Sequence, residues 1–521
     1  MRKALRSSLG FVGVFMMFPL AVWAQVNASG PVVRIQEGAV RGVTANEVTS
    51  FKGIAYAEPP VGALRWRAPH PVKSWAQTLD ASHFGASCMQ TDDLPKSEDC
   101  LTLNVWRPAK ESGSLPVMVW IYGGALAHGN TPQYPGEALA RKGVVFVSMN
   151  YRMGRLGFFA HPALTSEASD EVQGNYGYLD QRAALKWVQR NIAAFGGDPK
   201  QVTIFGESAG GGSVMVHLVS PMSRGLFQRA ILQSPGIPTG RAKALPLTLL
   251  ADAEKSGIAY AKSVGITGDG AQALAALRAL PAEKLLENAS AEEVLVGLAS
   301  SKPIPGVPGS ILDGRLVPAA PETLFAEGKQ AAVPVIVGAN DRDLGLGVAA
   351  NKEALFAPFA ALSSDARAAY DPQSDQTLEE LKQDVLADQT LVEPSRHLAD
   401  AIARSGNPVY LYRFSYVAES QRGKLKGTLH GFEIPYTLDI PAALVRDKVT
   451  PDDRAMAAQA SDYWVGFAKT GDPNGAGRPN WPRHDPEVDR LLHFTNDGVI
   501  VGTDPLKLRL DLVKKMREQQ H

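Results

Sequence analysis

The chain has 521 residues, 45% hydrophobic and 20% charged, with 53 basic side chains balanced by 53 acidic ones. A net charge of zero leaves no basic field to gather nucleic acid or an anionic membrane. With 49 Gly and 36 Pro the composition is that of a turn-rich globular protein, and the length suits either several small domains or one large α/β domain with insertions.

The chain opens with Arg2, Lys3 and Arg6, followed by an apolar run over residues 9–22 that Pro19 interrupts. Val22-Trp23-Ala24 then supplies small residues where a signal peptidase reads. Residues 1–24 are therefore expected to be a signal peptide, cleaved after about Ala24, and the mature chain to be secreted or periplasmic. A membrane anchor is the competing reading, but the run is short for a spanning helix, and no later segment is long and apolar enough to span. Stable membrane insertion is not expected.

Residues 32–43 alternate as a hairpin would, and residues 51–66 form an aromatic loop punctuated by Pro and Gly. The chain holds two cysteines, Cys88 and Cys100. In an exported chain they are expected to pair, closing a short loop. Two cysteines without nearby histidines do not supply four ligands for zinc, and no metal is expected.

A half-buried strand is expected at 101–106. Short, nearly continuous apolar runs follow at 117–122, 144–149, 202–205, 230–233, 333–337 and 409–414, as in strands covered on both faces. Between the second and third, Leu185, Val188, Ile192 and Phe195 recur at helical spacing, predicting a crossover helix over 179–195 that Gly196-Gly197-Asp198-Pro199 ends. The alternation predicts a doubly wound α/β fold with a large, mostly parallel sheet. Residues 245–330 and 350–406 read as helical insertions over the C-terminal edge of that sheet, within one domain spanning 25–521. A last helix is expected over 454–469.

The run at 202–205 leads into Gly206-Glu207-Ser208-Ala209-Gly210 and then an apolar helix. Strand, G-x-S-x-G turn and helix make a nucleophile elbow. Small residues two positions either side of Ser208 let the turn be sharp, exposing the hydroxyl and aiming the Ala209 N–H and the helix N-terminus at a developing oxyanion. A phosphate-loop reading fails because no Lys-Ser or Lys-Thr follows.

A serine hydroxyl needs a base, an orienter for that base and donors for the oxyanion. With an elbow of this kind the chain order is Ser, acid, His. Of ten histidines, His397, His430, His484 and His493 lie late, with His521 at the terminus. His430 is the candidate base: it follows the expected last strand, in a loop with Gly431 behind it. His484 and His493 sit in a polar, Pro-rich tail and read as surface residues. The acid is Asp341 or Asp343, just past the run at 333–337. Gly124 and Ala125 follow the run at 117–122 and, with Ala209, would give three oxyanion N–H donors.

Several stretches together resemble the type-B carboxylesterase/lipase family, which includes cholinesterases and bacterial para-nitrobenzyl esterases. They are Phe51-Lys52-Gly53-Ile54-Ala55-Tyr56 with Pro59-Pro60-Val61-Gly62; Ser97-Glu98-Asp99-Cys100-Leu101-Thr102-Leu103-Asn104-Val105; Asn150-Tyr151-Arg152 with Gly157-Phe158; Gly174-Asn175-Tyr176-Gly177-Tyr178-Leu179-Asp180-Gln181; Phe195-Gly196-Gly197-Asp198-Pro199; the elbow; and His430-Gly431-Phe432-Glu433-Ile434-Pro435-Tyr436. The resemblance covers nearly all of the mature chain and implies an α/β-hydrolase fold. It selects Asp343, because the family's acid, usually Glu in an Asn-x-Asp-Glu-Gly run, falls there; aspartate is a departure. It also implies that Glu207 and Ser234 lie beside the triad. Gly123-Gly124-Ala125-Leu126 replaces the usual Gly-Gly-Gly-Phe, with Tyr122 before it, and resembles esterases that admit bulky alcohols.

Together these features predict an exported serine hydrolase that cleaves small carboxylic esters through an acyl-enzyme, with no cofactor. The alternatives are an amidase or lipase with the same triad, or a non-catalytic cholinesterase-like binding protein. Activity is expected to rise with pH through a group near about 6.5, as neutral His430 forms.

Overall fold

The computed structural model describes residues 30–92, 94–110, 113–236, 247–307 and 309–519. The signal peptide expected over residues 1–24 lies outside the described residues.

Eleven strands among the described residues form one mixed sheet. From one edge they run Gly498–Thr503, Arg490–Thr495, Val409–Phe414, Val335–Asn340, Arg229–Gln233, Gly197–Glu207, Leu115–Ile121, Val145–Met149, Thr102–Pro108, Val48–Ala55 and Val43–Ala45. Pairing is parallel from Arg490–Thr495 through Val145–Met149 and antiparallel at both ends. Every residue of Val145–Met149, Val335–Asn340 and Val409–Phe414 is buried. Successive side chains point to opposite faces, so both faces are covered, which is why these segments read as continuous apolar runs.

The expected hairpin is present as Val32–Arg34 against Ala39–Arg41. The crossover helix runs Tyr176–Asn191 and tightens into a 3-10 turn, Ile192–Phe195, that Gly196 closes in the left-handed conformation. The last expected helix is Pro451–Thr470, begun by a capping box between Thr450 and Asp453 and ended by left-handed Gly471.

Three expectations need correcting. Val409–Phe414 is not the last strand: Arg490–Thr495 and Gly498–Thr503 follow and complete that edge. His484 and His493 are not surface residues. His484 is buried with Nε2 2.8 Å from Asp400 Oδ1, and His493 lies in the Arg490–Thr495 strand with Nε2 2.7 Å from Ser415 Oγ. The 101–106 strand is not half-buried: Leu103, Asn104, Val105 and Trp106 are all buried.

In the first insertion, helices Leu250–Ser263, Ala271–Arg278, Ala282–Leu286 and Ala291–Ala299 lie between two short strands, Leu247–Leu249 and Ser310–Leu312, that pair in parallel. The second region is less uniform. Its last helix, Glu393–Arg404, buries Leu398, Ala399 and Ile402 in the main apolar core and packs on Val335–Asn340 and Val409–Phe414, so it acts as a crossover helix.

Candidate active site

Gly197–Glu207 ends at Ser208, whose φ of 57° and ψ of −125° lie outside the helical and extended regions, and Ala209–Val219 begins at the next residue. A side chain on Gly206 or Gly210 would overlap the Ile121 carbonyl of the neighbouring strand, so only glycine lets the turn fold this tightly. Gly123 makes the matching approach from the other loop: a Cβ there would run into the Glu207 carbonyl and the Ser208 Cβ. Gly124, Ala125 and Leu126 then take positive φ of 99°, 57° and 56°, wrapping this loop beside the elbow. Ala125 and Ala209 border the same cavity.

The next two strands each contribute to one carboxylate. Ser234, directly after Arg229–Gln233, has a positive φ of 45° and donates from Oγ to Asp343 Oδ2 at 2.6 Å. Asn340, the last residue of its strand, donates its backbone N–H to the same oxygen at 3.0 Å. Asp343 Oδ1 accepts from Leu344 N at 2.8 Å and lies 2.5 Å from His430 Nδ1. Asp343 is fully buried. Burial opposes its charge, but the His430 imidazole and the hydrogen bonds from His430, Ser234 and Leu344 hold its pKa below the ordinary aspartate value.

His430 presents its other nitrogen to the elbow, with Nε2 2.8 Å from Ser208 Oγ. Asp341 is not part of this chain of contacts. It is half-buried, with its pKa pushed up to about 6 mainly by the desolvation of its carboxyl, and it accepts the Thr428 N–H at 2.7 Å, tying the histidine loop to the strand end.

Glu207 lies beside the imidazole, its Oε1 3.3 Å from His430 Nε2. Burial pushes the Glu207 carboxyl up to about 8. At His430, burial disfavours the charged ring, but Glu207, Asp343 and Glu433 override it and raise the pKa to about 10. The neighbouring carboxylates thus favour the charged imidazole.

Ser208, His430 and Asp343 thus lie in contact in series, with Glu207 and Ser234 beside them. Glu433 and Gln233 were given no role from sequence. Asn340 Nδ2 bonds Leu429 O at 2.8 Å and Glu433 Oε2 at 2.6 Å, and Gln233 Nε2 bonds Glu433 Oε1 at 3.1 Å. These bonds lock the histidine loop to the two strand ends. For Glu433 the signal was present, since it sits inside the 430–436 stretch that carries part of the family resemblance.

Cys88 and Cys100 form the expected disulfide. Their loop also supports the site: Gln90 Oε1 accepts Gly129 N and Gln90 Nε2 donates to Gly129 O, both at 2.9 Å, just beyond the Gly123–Leu126 turn. Among the described residues, no group of three or more His, Cys, Asp or Glu is placed to hold a metal ion, and no helix is long and apolar enough to cross a membrane.

The model of the carboxylesterase family matches residues 29–513. The chain belongs to the carboxylesterase family. This carboxylesterase is 36% identical to the fumonisin B1 esterase of Sphingopyxis macrogoltabida, over 96% of this chain and 94% of that one. It is 34% identical to the para-nitrobenzyl esterase of Bacillus subtilis (strain 168), over 91% and 96%. A solved PNB esterase structure superposes with a TM-score of 0.77 at 32% identity, covering 92% of this chain and 99% of that one. The carboxylesterase has the α/β-hydrolase fold and is a carboxylic ester hydrolase.

Proposed function

We propose that this enzyme cleaves carboxylic esters through an acyl-enzyme on Ser208. His430 Nε2 takes the hydroxyl proton as Oγ attacks the carbonyl and returns it to the departing alcohol. Asp343 fixes the tautomer that leaves Nε2 free and stabilises the imidazolium. The N–H groups of Gly124, Ala125 and Ala209 hold the oxyanion, each contributing on the order of 10²–10³ in turnover. Water then repeats the sequence and frees the acid.

The observation that carries this proposal is the unbroken contact series, 2.8 Å from Ser208 Oγ to His430 Nε2 and 2.5 Å from His430 Nδ1 to Asp343 Oδ1. Ser208→Ala is expected to abolish ester turnover and fluorophosphonate labelling while keeping the wild-type melting temperature. Turnover near wild type in that folded variant would refute the assignment.

The substrates are small-molecule esters, and the enzyme is exported behind a leader ending near Ala24. Esters of bulky alcohols are accepted, as the Gly-Gly-Ala-Leu turn suggests; comparing tert-butyl with n-butyl acetate tests this, and rejection of the tertiary ester overturns it. Fumonisin B1 and para-nitrobenzyl esters, for which two relatives are named, are the first compounds to assay, alongside matched amides and long-chain emulsions.

A further inference from the structure

On the proposed assignment of Ser208 and His430, the leaving oxygen must face His430 Nε2, because that nitrogen returns the proton. The acyl group stays on Ser208 and must lie away from the imidazole, beside the oxyanion donors. On that side is a cavity of about 150 Å³ bordered by Ala125 and Ala209 and walled by Leu126, Phe158, Ile304 and Leu298. Two of its polar groups, the Tyr178 hydroxyl and Ser310 Oγ, are 2.6 Å apart and bonded to each other. The cavity is thus suited to a hydrocarbon chain.

A second cavity, about 170 Å³, lies between the two helical insertions, where Ser300, Ser301, Val348, Leu386 and Gln389 meet Leu298. Val348 is 67% exposed, so this cleft opens to solvent. Leu298 borders both cavities. It sits near the end of Ala291–Ala299, where the chain folds back so that Lys302 N bonds Gly297 O at 2.8 Å and a side chain at Gly297 would crowd the Lys302 carbonyl.

We propose that Leu298 is the partition that sets acyl-chain length. Straight-chain acyl groups fill the inner cavity up to the Leu298 side chain, and removing that side chain joins the cavity to the open cleft so that longer chains pass through. No other part of the substrate is read there, so the selection is for the acid and not for the alcohol.

The test uses para-nitrophenyl esters from acetate to dodecanoate on the full-length enzyme, with kcat/KM for each ester divided by that for acetate. While methylenes are being buried, each is worth about fourfold. In the wild type the rise stops at the length the inner cavity holds. In Leu298→Ala it continues by two or more carbons, so that the ratio at an ester two carbons past the wild-type limit gains about sixteenfold. Leu298→Trp moves the limit to shorter acids. A parallel series of butyrates with growing alcohols keeps its wild-type order in both variants. Leu298 is only half-buried, so both variants should fold, which their melting temperatures report. Unchanged acyl profiles in both folded variants, or equal shifts in acyl and alcohol series, overturn the partition. Full ester turnover by Ser208→Ala would instead overturn the active-site assignment beneath it.

Discussion

Asp343 has a shorter side chain than the glutamate usual in the family, and its surroundings make up the reach. Ser234, Asn340 and Leu344 grip the carboxylate, leaving Oδ1 against His430 Nδ1. Asp343→Asn keeps the shape but offers an amide that can turn its NH₂ toward Nδ1 and favour the wrong tautomer. We expect kcat to fall by about 10⁴ with KM little changed, and a loss under tenfold would reassign the acid. The pH profile has a definite sign. The base must be neutral His430, and surrounding carboxylates raise its pKa, so the ascending limb of kcat/KM lies above histidine's ordinary value. That limb belongs to the coupled His430 and Glu207 pair. Glu207→Gln removes the negative charge that Glu207 carries above its own raised pKa, 3.3 Å from Nε2, so the limb should move to lower pH; an absent shift would show that Glu207 is uncharged when the enzyme works. Position after the strand could not separate Asp341 from Asp343, since both lie just past it, and only the family resemblance favoured Asp343. What divides them is that the Thr428 N–H meets one and the imidazole meets the other, contacts spanning 87 residues in each case.

Among the elements, the disulfide loop joins stability to catalysis. Cys88 and Cys100 are 12 residues apart, and a cross-link closing a loop of that size stabilises by about 3 kcal/mol on the chain-entropy model. Because Gln90 in this loop pairs with Gly129, the Cys88→Ser, Cys100→Ser double variant should lose both urea resistance and kcat. Equilibrium unfolding checks the first and ester turnover the second; an unchanged midpoint would show that the loop is held by its other contacts. Element identity was legible wherever apolar side chains ran without interruption, because burial on both faces imposes that pattern. It was not legible at Arg490–Thr495, a short strand inside a polar, Pro-rich tail, where His484 and His493 acquire partners 84 and 78 residues away. Gly197–Glu207 also began earlier than its apolar run: Gly197 pairs with Leu115, and a register shift before Val202 absorbs the Gly-Asp-Pro turn chemistry.

At the scale of the whole molecule, strands from both halves of the sequence share one sheet, and a buried ion pair fastens the C-terminal part to it. Arg413 Nη2 meets Asp504 Oδ2 at 2.8 Å, both side chains fully buried, while Arg413 Nη1 donates to Ala339 O at 3.1 Å. Such a pair is retained only when both partners are present, because either one alone leaves an uncompensated buried charge. The leader proposal belongs at this scale too. Sequencing the N-terminus of the protein recovered outside the cytoplasm should give Gln25 or a residue close to it, and an intact Met1 there would overturn the proposal. The order of assembly follows from the sheet as well. The proposed nucleophile and its base are 222 residues apart in the chain. During translation the serine leaves the ribosome long before the segment bearing the imidazole has been made. A nascent polypeptide that has not yet reached the imidazole segment therefore carries the proposed nucleophile without its proposed base.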